Sequence, residues 1–388
     1  MDIRRSTLSW FFSSYASAFG LFVNTSRLIE EACAPYPLGH PSRPCPGLMY
    51  TIYFLIAYLN SQDGPDYLAQ VVLQVGLMLS PTTSEQTHPK ALVQTIQAQV
   101  LLANYFFLED RTLKGKYHLG MAVSLVSSAR LYTYASVEDG EKVNAFWMVY
   151  SMHSVWDPPG SAVEERKIDV PWPTDEQSIP GSWASQPTIT RFLSGGTGST
   201  SQGQPSLMEL YSKACILFSR ATCIANTSID SMNTSSRNQL IAARNHLDSL
   251  IDNFTAQLPP VAAQESEVQA QTVILIRTLT YASTIQLAYA RSNTKSLAVA
   301  RAAVNLLQAP GQLQVLLVNP IFGVLWGIIG RVLVDEIRWL HLSRAVRNQI
   351  AEAERTLDVL VTTIQGLTRG TFIGYQIGKL REALGMDM

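Results

Sequence analysis

The chain reads as all-α, built from antiparallel helix pairs. Three observations carry that reading. Val93, Ile96, Val100, Ala103 and Phe107 recur at spacings of three and four, and so do Leu119, Ala122, Val126 and Ala129. Each set lays one apolar stripe along a helix, and the short charged turn between them lets the two stripes face a common core. Strand signals are scarce, and no repeat of fixed period is visible. At 388 residues and 47% hydrophobic, the chain holds enough apolar side chain for one large domain or two lobes. A charged fraction of 15% argues against wholesale disorder.

The elements follow in order. Residues 6–33 carry helical periodicity up to a Pro/Gly-rich stretch at 34–47. Pro46 opens a helix to Asn60, since proline lacks only an N–H that the first turn leaves unused. Another helix is expected over 66–79, then the hairpin helices at 90–108 and 112–133. Residues 139–156 form a helix rich in aromatics: Phe146, Trp147, Tyr150 and Trp156. Residues 157–187 are proline-rich with few periodic apolar positions, an irregular connection along the helical body. The Gly/Ser run at 194–206 reads as a flexible linker. Helices resume at 206–228, 234–256 (closed by Pro259-Pro260), 264–292, 293–308, 320–344, 346–365 and 371–384. The organisation is thus an N-terminal lobe at 1–156, a connection at 157–206 and a C-terminal lobe at 207–388.

Charge and cysteines exclude several classes. The net charge is -1, and the longest charged runs are Arg4-Arg5 and Glu164-Glu165-Arg166-Lys167. The chain by itself lacks the basic footprint of a nucleic-acid reader. Cys33, Cys45, Cys215 and Cys223 form no Cys-x-x-Cys pair, and the histidines are not spaced as zinc ligands. Scattered cysteines suit a reducing compartment, so the sequons at Asn24, Asn226, Asn233 and Asn253 are chance matches. Residues 3–23 have the outline of a signal peptide, but serines dilute the apolar run and the periodicity continues to Leu28. Residues 313–334 are apolar but contain Asn319, Pro320 and Arg331, which suits a buried helix starting near Pro320 better than a bilayer span. No membrane partner is expected.

No phosphate loop, nucleophile elbow or His-Glu-x-x-His helix occurs. Three groups of residues merit weighing as sites. On a helix, Leu325, Ile328, Val332, Glu336 and Trp339 share a face, so Glu336 sits on an apolar stripe where an unpartnered carboxylate is costly. Asp335 lies four residues from Arg331 and three from Arg338. A structural ion-pair knot is the simpler reading; a ligand site, with Asp335 and Glu336 as catalytic candidates, is the sharper one. Asp248 and Asp252, one turn apart, could hold Mg²⁺, though an exposed acidic surface explains them as well. His153, beside Trp147, Tyr150 and Trp156, is a candidate pocket base or a core histidine.

Gln97-Ala-Gln-Val-Leu-Leu-Ala-Asn-Tyr105 resembles a helix in the middle homology (regulatory) region of fungal binuclear zinc-cluster transcription factors. Glu141–Tyr150 is similar to that family's Trp helix, and Ile168-Asp-Val-Pro-Trp-Pro173 to its Ile-Asp-x-Pro-Trp/Leu-Pro element. Further likenesses are Pro37–Pro44, Leu247–Leu258 ahead of Pro259-Pro260, Asn319–Trp326, Val332–Ile337 and Tyr375–Leu384. Together they cover nearly the whole chain. The resemblance implies an intracellular helical module, nuclear or cytoplasmic, that answers to a small apolar ligand, to other regulatory proteins or to a second copy in a homodimer. It implies no cofactor.

Two departures stand out. The family's six-cysteine DNA reader has no counterpart in these residues, which suits either part of a longer factor or a protein without a DNA reader. The Asp-Arg/Lys pair that usually follows the Trp helix is replaced by Met152-His153-Ser154-Val155-Trp156-Asp157-Pro158-Pro159-Gly160. These departures motivate an alternative: an enzyme on this scaffold, such as a non-classical Mg²⁺-dependent terpene cyclase, with Trp147 and Trp156 as apolar wall and Arg331 and Arg338 toward a diphosphate. The Asp-Asp-x-x-Asp motif of classical cyclases is absent. A protein-interaction scaffold is a further alternative.

With a net charge of -1, the chain lacks the phosphate-neutralising term. A mobility-shift titration at physiological salt should give no sequence-specific band. Specific binding tighter than about micromolar would contradict the reading.

Overall fold

The computed structural model describes residues 3–15, 18–60, 90–137, 140–157, 164–174, 187–195, 205–228, 232–264, 266–288, 293–307, 319–344, 346–367 and 371–383. Among them are fourteen α-helices, three short 3-10 turns and no strand. The all-α class is therefore observed. The helices are α1 (Ile3–Ser14), α2 (Thr25–Ala32), α3 (Pro46–Asn60), α4 (Ala91–Leu108), α5 (Thr112–Ser128), α6 (Gly140–Trp156) and α7 (Thr188–Leu193). They continue as α8 (Leu207–Asn226), α9 (Thr234–Gln257), α10 (Glu267–Ala288), α11 (Asn293–Leu307), α12 (Ile321–Leu342), α13 (Arg347–Leu367) and α14 (Thr371–Ala383). The helix expected at 66–79 and residues 196–204 of the Gly/Ser linker lie outside the described residues.

The α4–α5 hairpin is central. Val93, Ile96, Val100, Ala103 and Phe107 are all buried, as are Leu119, Ala122 and Val126. α4 is long and apolar enough to cross a membrane, but 83% of it is buried inside the protein. Its end is set by a left-handed residue. Asp110 has φ 56, which lets Arg111 N–H reach Phe106 O at 2.8 Å and Asp110 N–H reach Phe107 O at 3.2 Å. This pattern closes a helix by satisfying its last carbonyls. α5 stops the same way at Arg130, φ 55, with Leu131 N–H on Val126 O at 3.1 Å. It therefore ends at Ser128 rather than 133.

The first helix also differs from expectation. The pattern over 6–33 divides into α1 and α2, because Gly20 adopts φ 75 between them. The segment 19–22 then lies as a strap across α4. Gln97 Oε1 accepts from Phe22 N–H at 2.7 Å, Gln97 Nε2 donates to Gly20 O at 3.2 Å, and Asn104 Nδ2 donates to Phe19 O at 2.8 Å. Asn24 and Asn233 cap α2 and α9 through their side-chain oxygens, an N-cap role that needs no glycan.

The described part of the connection after α6 packs into the body. Ile168, Val170 and Trp172 are at most 1% exposed. Thr188 N–H and Oγ1 donate to Ile168 O and Val170 O, and Asp169 Oδ1 accepts from Tyr134 N–H at 2.7 Å. Ser206 joins this connection to α8. Its Oγ accepts from Glu209 N–H as an N-cap and donates to Pro173 O at 2.7 Å. Buried residues from before position 157 and after 206 belong to one continuous core. α12 starts at Ile321 beside Pro320, as its sequence suggested, and α14 crosses it closely at two glycines. A methyl at Gly323 would meet the Phe372 ring at 2.8 Å, and one at Gly330 would meet Leu380 at 2.5 Å.

His118 ties α5 to α4. Its ring stacks on Phe106, and Nδ1–H donates to Gln99 Oε1 at 2.7 Å. Burial, helped by the nearby Lys114 cation, pushes its pKa from 6.5 down to about 4. The unfolded chain takes up this proton near pH 6.5 and the folded chain only near 4. Stability from this residue is full above pH 6.5 and falls as the pH drops toward 4. The loss is at most on the order of 3 kcal/mol before solvent screening reduces it. Thermal midpoints measured from pH 7 to 4 should fall less steeply in His118→Gln; identical slopes would remove His118 as a cause.

Candidate functional site

A cavity of about 150 Å³ opens where four helices, the strap and the residue ahead of α12 converge. The strap contributes Gly20 and Leu21, and α4 contributes Asn104. Met148 and Met152 come from α6, Leu207, Met208 and Tyr211 from α8, and Thr272 and Leu275 from α10. Asn319, just ahead of α12, completes the wall. The lining thus comes from residues both before position 157 and after 206. Gly20 matters here twice. Its left-handed φ suits glycine, and a methyl there would stand 3.1 Å from Asn104 Nδ2 and Val100 and 3.2 Å from Met148 Sδ.

A chain of neutral hydrogen bonds runs from this cavity into the core. Asn319 Oδ1 accepts from Ile321 N–H at 3.1 Å, which leaves its Nδ2 to donate to the Tyr211 hydroxyl. Tyr211 in turn bonds the Cys215 thiol, which also bonds Ser151, and Ser151 Oγ donates to Ser212 Oγ at 3.1 Å. Burial raises Tyr211 well above the usual phenol range and raises Cys215 as well. Neither group ionises near neutrality, so this thiol is no nucleophile. No Asp, Glu, Lys, Arg or His is among the described lining residues.

The residues singled out from sequence lie elsewhere. Trp147 is fully buried, donates from Nε1 to Pro171 O at 2.6 Å and stacks on Trp172 with centroids 4.3 Å apart. It anchors the connection and is enclosed by it. Tyr150 donates to Glu165 at 3.3 Å, and Glu165 also pairs with Arg220. Trp156 stacks on Phe107 at 3.8 Å and approaches Phe372 at 5.9 Å. His153 is half-buried, and desolvation lowers its pKa against the opposing charge of Asp157, with Lys116 adding to the lowering.

On α12, Glu336 is buried, Asp335 pairs with Arg338 at 4.0 Å, and Arg331 and Arg338 point to solvent. Trp156 reaches the start of α12 through Phe372, which covers Gly323. Glu336 lies about 20 Å farther along that helix at 1.5 Å per residue. The geometry therefore does not join the Asp335–Glu336 carboxylates to the Trp156 wall. Asp248 and Asp252 are held by Lys295 at 2.7 and 3.3 Å, where a divalent cation would otherwise sit. Burial works against the Lys295 charge, but the two aspartates outweigh it and raise its pKa. Among the described residues no three His, Cys, Asp or Glu side chains gather as a metal site. Cys33, Cys45, Cys215 and Cys223 form no disulfide with one another.

Sequence reasoning missed the cavity because its lining residues are scattered over the chain on helices with unremarkable periodicity. The one available signal was Asn104, an amide inside an apolar run. No family model, curated protein or solved structure matches the chain.

Replacing Trp147 by Ala should cost about 3–5 kcal/mol, since it empties a large buried volume and strips Pro171 O of its donor. Trp147→Phe should cost less. Denaturant unfolding of both variants measures this, and a loss below about 1 kcal/mol for the alanine variant would contradict the anchoring role.

Proposed function

We propose that the chain is a regulatory helical module, of the kind it resembles in fungal zinc-cluster transcription factors, that changes its helix arrangement when a small ligand or partner binds. The observation that supports this most is the cavity walled by residues from before position 157 and after 206. A ligand there touches α4, α6, α8 and α10 at once, so its binding energy depends on how those helices sit. It shifts the arrangement only as far as it prefers one arrangement over another. Three of the family-like runs contribute to the wall: Asn104 belongs to the Gln97–Tyr105 run, Met148 to the Glu141–Tyr150 run and Asn319 to the Asn319–Trp326 run. The described lining carries no carboxylate for Mg²⁺ and no cation for a diphosphate, so the cavity favours sensing over the cyclase alternative. Nuclear or cytoplasmic residence and a partner that reads the rearrangement belong to the same proposal.

The test is a fusion to a DNA-binding domain of known specificity, with a reporter in cells. The fused module should change output relative to the DNA-binding domain alone. Met208→Trp, which fills the cavity, should lock the output at one level. Output equal to that of the DNA-binding domain alone, for both forms, would remove the regulatory reading.

A further inference from the structure

A second pocket, of about 600 Å³, lies between the turn that follows α5 and the connection that follows α6. Two hydrogen bonds fix these segments against each other. Asp169 N–H donates to Tyr132 O at 3.2 Å, and Tyr134 N–H donates to Asp169 Oδ1 at 2.7 Å. The turn brings Arg130 to the pocket, and the connection brings Arg166 and Lys167. Cations that are distant in sequence are thereby gathered around one hollow.

The carboxylates nearby are engaged elsewhere or only loosely held. Glu165 pairs with Arg220, and Glu164 with Lys167 at 3.3 Å. Both side chains of the second pair are exposed, so it contributes little and leaves Lys167 open to a stronger partner. Asp169 is the one carboxylate among the described lining residues, and its Oδ1 already accepts from Tyr134 N–H. Arg130 and Arg166 form no ion pair among the described residues. The chain as a whole carries a net charge of -1, so this excess of positive charge is local. A concave wall concentrates such a field on whatever enters it.

Chemistry and size narrow the occupant. Arginine presents a planar fork of donors that matches the oxygens of a phosphate. A phosphate monoester is close to a dianion at neutral pH. A volume of about 600 Å³ falls within the range of small-molecule sites and exceeds what a bare phosphate fills. Tyr132, Ala135 and Pro187 line part of the remainder and offer contact to an organic body. A nucleic-acid strand is disfavoured, because the chain lacks an overall basic footprint.

We infer that this pocket binds a small organic phosphate monoester, its dianion held by Arg130 and Arg166 with Lys167 beside them. The pocket shares no described lining residue with the 150 Å³ cavity, so it stands independently of the regulatory reading.

The experiment is a calorimetric titration of the full chain with phenyl phosphate, glycerol phosphate, inorganic phosphate, glycerol and a phosphoserine peptide. At least one of the two monoesters should bind about tenfold more tightly than inorganic phosphate, and glycerol should not bind. Arg130 and Arg166 are exposed, so Arg130→Gln and Arg166→Gln should leave the circular dichroism spectrum unchanged. Each should weaken the monoester about tenfold, through loss of a charge-assisted hydrogen bond. Should one of them fail to fold, the other decides. Arg344→Gln, at an exposed arginine beyond α12, should leave binding as it is. Inorganic phosphate binding as tightly as both monoesters overturns the organic ligand and leaves an ion site only. Monoester binding unchanged in the arginine variants overturns the placement. The phosphoserine peptide binding more tightly than both monoesters overturns the small-molecule assignment. No binding of either monoester overturns the inference outright, while the reporter fusion still tests regulation separately.

Discussion

α4 has almost no solvent face, and much of the structure follows from that. Every residue from Gln97 to Leu108 is buried, so the amides of Gln97, Gln99 and Asn104 must find partners inside the protein. Each finds one on a neighbouring segment. Gln97 and Asn104 hold the strap, and Gln99 holds His118 of α5. Gln94, one turn earlier, accepts from Cys45 N–H at 2.6 Å ahead of α3. Apolar burial supplies most of the stability around α4, but it is non-directional. The amides supply direction. They decide where the strap crosses and therefore where the cavity opens beneath Gly20.

The second half is joined to the first by similar means. The bonds from Asn319 through Tyr211 and Cys215 to Ser151 and Ser212 span α12, α8 and α6. All members are neutral, and burial keeps the phenol and thiol protonated. A different arrangement operates on the far side of α8. There the buried Lys213–Glu209 pair, 2.5 Å apart, lies against Trp172 and Phe192, with Lys213 Nζ 5.1 and 5.4 Å from the two ring centres. Breaking such a pair leaves a buried charge, which is more damaging than replacing both partners together. α8 thus carries a neutral face toward the cavity and a charged one toward the connection.

The apolar stripes of the hairpin were plain in the sequence because a buried helix must repeat every three to four residues, and Val93 to Phe107 do so. The helix ends were less plain. Asp110 and Arg130 adopt left-handed backbone without being glycine, so nothing in their identity marks the stop. Gly20 could have signalled the break between α1 and α2, but apolar residues on both sides continue the period across it. The aromatic cluster of α6 misdirected attention. Trp147 and Trp156 are large enough to wall a pocket and equally suited to fill a core, and Trp147 fills it. The cavity depends on side chains brought together only by tertiary packing, and Met148, Tyr211 and Asn319 share no local pattern. Asp248 and Asp252 were legible as a pair, while Lys295 between them was not, because it arrives from another helix.

The strap has one more consequence. Its anchors are two uncharged amides, Gln97 and Asn104, making three bonds to backbone, buried away from solvent. Mobile ions screen attractions between exposed charges and hardly affect such bonds. The surface pair of Arg27 with Glu141, which joins α2 to α6, is of the opposite kind. Rising salt therefore loosens the outer end of this N-terminal segment first. The portion over the cavity stays seated, so the cavity roof keeps its shape in dilute and concentrated electrolyte alike.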